Sequence, residues 1–158
     1  LNKNVAWRRI YGNTSTRLKD QEFILRFFAM YLYRDNYQKP LKGFLNKYMA
    51  INRNLKLHSR KQLKEIFFRT VNYIDESLGK NAFRPKRALN ASVYDSVMVG
   101  VAEMLARDAL VPEKTRFISA YNRLLTNPDY ILATNDATSD EPVVEKRMRL
   151  AIDAFIDL

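Results

Sequence analysis

An all-α fold is what the residue pattern predicts, on three observations. Apolar side chains recur at spacings of three and four through successive segments. Capping residues, Gly and Pro punctuate those segments, and no stretch sustains the two-residue alternation of a strand. An apolar content of 47%, with nine Phe and nine Tyr, is enough for a real core. The expectation is therefore a single compact helical domain over residues 1–158, built from about five to seven helices. The chain opens on Leu1 with no initiator methionine, so it reads as a piece of a longer multidomain protein.

The elements follow in order. A short helix over Asn4–Tyr11 is anchored by Trp7 and broken by Gly12-Asn13-Thr14-Ser15. A second starts near Asp20 as N-cap and carries Phe23, Ile24, Phe27, Phe28 and Tyr31. Leu25, Met30 and Leu32 make it apolar around most of its circumference, which marks it as the hub. Pro40 opens a third through Phe44, Leu45, Tyr48 and Met49. The capping box Ser59-x-x-Gln62 starts a fourth, which runs through Leu63, Ile66, Phe67, Thr70, Val71, Ile74 and Leu78 to a stop at Gly79. After a basic loop over Asn81 to Asn90, Ser92-x-x-Asp95 leads into Val93, Val97, Val101, Met104 and Leu105. Gly100 in that helix suits the close approach of another. Pro112 opens a sixth helix ending at Asn127-Pro128, residues 128–140 read as a mobile internal loop, and a last helix starts near Ser139.

Charge is unevenly spread. Residues 1–90 hold 20 Lys/Arg against 6 Asp/Glu, whereas residues 91–158 hold 7 against 11. A positive field of that kind favours a polyanionic partner, because Lys and Arg neutralise phosphates and release counterions. The absence of cysteine excludes disulfides and thiolate metal sites, and no run approaches the roughly eighteen apolar residues of a spanning helix. A cytoplasmic protein without a membrane partner is expected.

Catalytic chemistry is sparse. His58 is the only histidine, so neither a histidine metal cage nor an HNH-type nuclease site can be completed, and beside a helix cap it reads as a surface or structural group. Asp75-Glu76 reads as a solvated helical face. Asp136, Asp140 and Glu141 lack a regular oxygen-ligand loop, and the four glycines are isolated, so no phosphate cradle forms. The segment itself is expected to be noncatalytic, with no cofactor. The stronger pattern is Lys80, Arg84, Lys86 and Arg87 before Asn90, where flexible cations could follow phosphates and helix-terminal amides could add anion contacts. Lys61, Lys64 and Arg69 could extend that surface, as could Arg17 and Lys19. Tyr33, Tyr37, Tyr48 and Tyr73 read as core or interface groups rather than base-stacking platforms.

Several runs carry a family resemblance. Trp7-Arg8-Arg9-Ile10-Tyr11-Gly12, Arg17 through Ala29, Leu41 through Met49, Ala82-Phe83-Arg84 and Asn90 through Val97 together resemble the helical region of the GmrSD-like, ParB-like nuclease family. The resemblance covers most of residues 3–105. It implies a parent that acts on DNA in restriction or phage defence, using a divalent metal and in some members a nucleoside triphosphate. The family's amino-terminal Asp-Gly-Gln-Gln-Arg pattern is absent here, so no catalytic role passes to Asp20 or Asp95. Two functions are expected in parallel. The segment is either a noncatalytic domain that associates with duplex DNA or positions a nuclease, or a scaffold that packs against a missing domain or a second protomer in a homo-oligomer.

Overall fold

The computed structural model describes residues 1–107 and 111–158. Among the described residues the fold is all-α, with no strand. Its eight helices are α1 (Val5–Tyr11), α2 (Lys19–Leu32), α3 (Leu41–Ile51), α4 (Arg60–Leu78), α5 (Ala91–Arg107), α6 (Lys114–Thr126), α7 (Pro128–Asn135) and α8 (Glu141–Phe155). No helix among these residues is long and apolar enough to cross a membrane.

The eighth helix beyond the expected range is α7, which occupies most of the segment read as a mobile loop. Its start is well specified: the Asn127 side chain accepts from the amides of Asp129 (2.9 Å) and Tyr130 (3.2 Å), and Pro128 takes the first position. Tyr130, Ala133 and Thr134 are buried, and the Tyr130 hydroxyl lies 2.7 Å from Ser96 Oγ. The helix is fixed from outside, by its cap and by packing on α8, rather than by its own periodicity.

The hub is α5, not α2. Every α5 residue from Ser92 to Ala102 is buried, and the helix packs against α2, α4 and α8. Gly100 is where α8 comes closest. A Cβ there would stand 2.8 Å from the Ala151 carbonyl oxygen and 2.8 Å from the Phe155 ring, so the residue is glycine because a neighbouring backbone occupies that space. Around the other face, Trp7 is fully buried, and its ring lies 5.9 Å from Phe67 and 5.8 Å from Tyr94.

Several helix starts differ from the sequence expectation, and for α2 the reason is a tertiary partner that takes the capping side chain. Asp20 does not cap α2. It is buried, and accepts from Arg8 Nη1 and Asn2 Nδ2, both at 3.0 Å. Burial would raise its carboxyl, but the hydrogen bonds from Asn2 and the Ser15 backbone and the charge of Arg8 hold it below its usual range. The start of α5 is capped by Asn90 rather than Ser92. Pro112 precedes α6, which begins at Lys114 after Glu113, and Asp140 rather than Ser139 precedes α8.

Buried tyrosines set an alkaline limit. Desolvation pushes Tyr48 and Tyr73 up to about 12 each, and raises Tyr94 and Tyr130 as well. Unfolded tyrosines ionise near pH 10, so the folded chain binds more protons above that point. Stability should be constant through neutrality and fall as pH rises from about 10 towards about 12. Melting temperatures across that window, set against tyrosinate absorbance of the native protein, check this.

Candidate nucleic-acid interface

The basic side chains singled out by the sequence separate into two groups at opposite ends of α4. Lys61 and Lys64 lie on its first turn, and Lys80 lies in the short 3-10 turn Gly79–Asn81 just beyond its last residue. Nineteen helical residues separate the ends, a distance of about 28 Å at about 1.5 Å per residue. The exposed stripe between them carries Glu65 and Glu76 as well as Arg69, so the two groups do not merge into one continuous cationic face. Lys64 also lies over the Phe68 ring, with Nζ 5.3 Å from its centroid.

Towards the far end of α4, Tyr94 joins the two segments that carry the remaining candidates. Its ring packs on Phe23 (4.8 Å) and on Phe83 (4.9 Å), and its hydroxyl donates to the Phe23 carbonyl at 2.9 Å. Lys19 stands one helical turn before Phe23, and Arg17 two residues earlier; both are exposed. Phe83 leads directly into Arg84, Pro85, Lys86 and Arg87. This end of the bundle therefore collects Arg17, Lys19, Lys80, Lys86 and Arg87, and no carboxylate occurs between Glu76 and Asp95.

The loop that presents Lys86 and Arg87 is closed on itself. The Asn90 amide donates to the Phe83 carbonyl at 2.9 Å, and the Phe83 amide donates to the Tyr121 hydroxyl at 3.3 Å. Phe83 is fully buried at φ 62, a left-handed conformation that is unfavourable for a residue with a Cβ and is held here by both hydrogen bonds and the ring contact. Two sequence expectations change as a result. Arg84 has an occupation inside the loop as well, because its Nη1 donates to the carbonyls of Lys80 (2.8 Å) and Ala82 (3.1 Å) and braces the loop. The amides of Ser92 and Val93 are not open to an anion, since Asn90 Oδ1 accepts from both, at 2.8 and 3.1 Å.

Two carboxylates of the basic half, Asp20 and Asp75, are buried, and others are tied up in ion pairs. Asp75 is buried and ion-paired with Arg9, so it does not lie on the solvated face its sequence suggests, whereas Glu76 does face solvent and pairs there with Lys114 at 2.8 Å. In the interior, Asp95 takes two hydrogen bonds from Arg26 and lies 3.8 Å from Arg147. Burial depresses both guanidiniums; next to the carboxylate Arg26 is nevertheless lifted above its ordinary value, whereas Arg147 stays below it. Arg147 Nη1 also donates to the Thr138 carbonyl at 2.6 Å. Lys39 pairs with Asp140 (3.0 Å), and its amide donates to Glu141 Oε1, so those carboxylates serve as structural partners.

The tyrosines considered for stacking are packing groups. Tyr33 stacks on Phe44, Tyr37 donates to the Ser139 carbonyl, Tyr48 is buried, and Tyr73 donates to the Pro112 carbonyl. His58 is half-buried beside Tyr48, with its amide donating to Asn52 Oδ1. Among the described residues no group of three or more His, Asp or Glu side chains is placed to hold a metal ion.

A further basic segment is missed when charge is counted over residues 1–90 as a whole. Between Asp35 and Glu65 the chain holds eight Lys/Arg and no carboxylate. It forms α3, the turn after it and the start of α4. A shorter window along the sequence would have found it. Comparison with protein-family models, with curated proteins and with solved structures finds no match for this chain.

Proposed function

We propose that this is a noncatalytic helical domain that holds the backbone of duplex DNA with the end of the bundle formed by Arg17, Lys19, Lys80, Lys86 and Arg87. In a parent of the kind its sequence resembles, such a domain would position a nuclease that lies elsewhere in the protein. The observation that carries the reading is the closed loop from Phe83 to Asn90. It presents Lys86 and Arg87 in a segment without carboxylates and is braced by the Arg84 guanidinium, so little of its order would have to be acquired on binding. Phosphate contacts of this kind position a protein on a duplex without reading its sequence.

The test is a titration of the purified chain with duplex DNA at several salt concentrations. Affinity should fall steeply with salt, and changing Lys86 and Arg87 together to alanine should weaken binding equally on unrelated sequences, lowering the salt slope by about one for each phosphate contact removed. Lys61→Ala with Lys64→Ala, at the other end of α4, should leave the affinity unchanged. No binding at low salt, or a loop variant that binds like the parent, would rule the proposal out.

A further inference from the structure

The carboxylate-free segment between Asp35 and Glu65 is apolar as well as basic. Of the ten large hydrophobic residues exposed among the described residues, four fall within nine positions: Met49 (48%), Ile51 (39%), Leu55 (44%) and Leu57 (56%). The turn that carries them is well knit. Asn52 Oδ1 accepts from the amides of Leu57 (3.1 Å) and His58 (3.0 Å), the Leu55 amide donates to the Asn52 carbonyl, and the Ser59–Gln62 capping box closes the start of α4. Asn54 and Leu55 are held at φ 60 and 58. A leucine that is both solvent-exposed and left-handed runs against its burial preference and its backbone preference, the kind of local conflict that gathers at binding surfaces.

The same stretch of chain carries exposed cations without a competing internal use. Lys39 is taken by Asp140 and Lys47 by the Gln38 side chain, but Arg53, Lys56, Arg60 and Lys61 are exposed and have no ion-pair partner among the described residues. A phosphate backbone would use the cations and leave the leucines in water. An apolar centre rimmed by charge of one sign is instead the anatomy of a protein interface, and the rim selects a partner of opposite sign.

We infer that this surface docks an acidic amphipathic helix of another protein, whose apolar stripe covers Met49, Ile51, Leu55 and Leu57 while its flanking carboxylates meet Arg53, Lys56, Arg60 and Lys61. The inference concerns the opposite end of α4 from the DNA-binding proposal, and the two stand or fall separately.

Three fluorescent helical peptides of equal length test it by anisotropy against the purified chain: one of Leu and Glu with an apolar stripe, one with Lys in place of every Glu, and one with Ser in place of every Leu. Only the first should bind. Leu55→Ser with Leu57→Ser should weaken it about tenfold or more, as should Arg53→Glu with Lys56→Glu, while Lys86→Ala with Arg87→Ala should leave it unchanged. Melting curves establish that these surface variants fold. Equal binding of the leucine-free acidic peptide would reduce the surface to a polyanion attractor and overturn the inference. So would failure of the Leu/Glu peptide to bind, whether or not duplex DNA or phosphatidylserine vesicles bind through Leu55 and Leu57.

Discussion

Asp95→Ala should be among the most damaging single changes in this protein, lowering unfolding free energy by about 3–5 kcal/mol. Asp95 is fully buried on α5 and is the carboxylate that Arg26 of α2 grips with two nitrogens and that Arg147 of α8 approaches. Removing it leaves two guanidiniums in the interior, and the Arg147 Nε already has no hydrogen-bond partner there. Against a typical domain stability of about 5–15 kcal/mol, the loss would remove a large part of the margin. Chemical unfolding should show it as a shifted midpoint with an unchanged slope, and melting temperature should drop by about 10 °C. A cluster whose worth is mutual should respond differently to joint replacement. Arg26→Met, Asp95→Leu and Arg147→Met together should recover much of the stability, because no buried charge is left alone. If Asp95→Ala unfolds like the parent, α2, α5 and α8 are not held by this cluster.

Phe83→Ala should have a comparable effect, about 3–5 kcal/mol, and should also reach the proposed interface. The ring fills space against Tyr94, where α1, α2, α5 and the basic loop meet, and alanine abandons that packing while keeping the left-handed backbone. Phe83→Gly separates the two contributions. It loses the same ring but relieves the positive φ, so it should be more stable than Phe83→Ala by about 1 kcal/mol. In both variants Lys86 and Arg87 lose their fixed presentation, so DNA affinity should fall even under conditions where the helices remain folded. Denaturant titrations of the two variants, with DNA titrations well below the unfolding midpoint, read the two effects independently.

What the sequence made legible was whatever is decided locally. The Ser59-x-x-Gln62 box and Gly79 delimit α4 because a cap and a stop act within one helical turn. Gly100 pointed to a close helix approach because so few other reasons put glycine in mid-helix. The parts that were not legible depend on distant partners. Helix α7 leaves Ile131 and Leu132 exposed while burying Tyr130 and Thr134, so its pattern resembles a polar link until α8 and Ser96 are in place. The primacy of α5 was concealed by Asp95 and Ser96, polar residues that are interior only because Arg26 and Tyr130 satisfy them. Residue types identified the cations but not their occupations: the Arg84 Nη1 braces carbonyls of its own loop, and Arg9 reaches a carboxylate 66 positions away.

The length of α4 has a consequence for occupancy. Its two ends are far enough apart that a macromolecule seated at one need not displace a macromolecule seated at the other, and the intervening helix is rigid enough to keep their spacing constant. A body held at the Met49–Leu57 end would then be confined within a few nanometres of any duplex held at the Lys86 end. Its encounter with that duplex would be governed by tether geometry rather than by its bulk concentration.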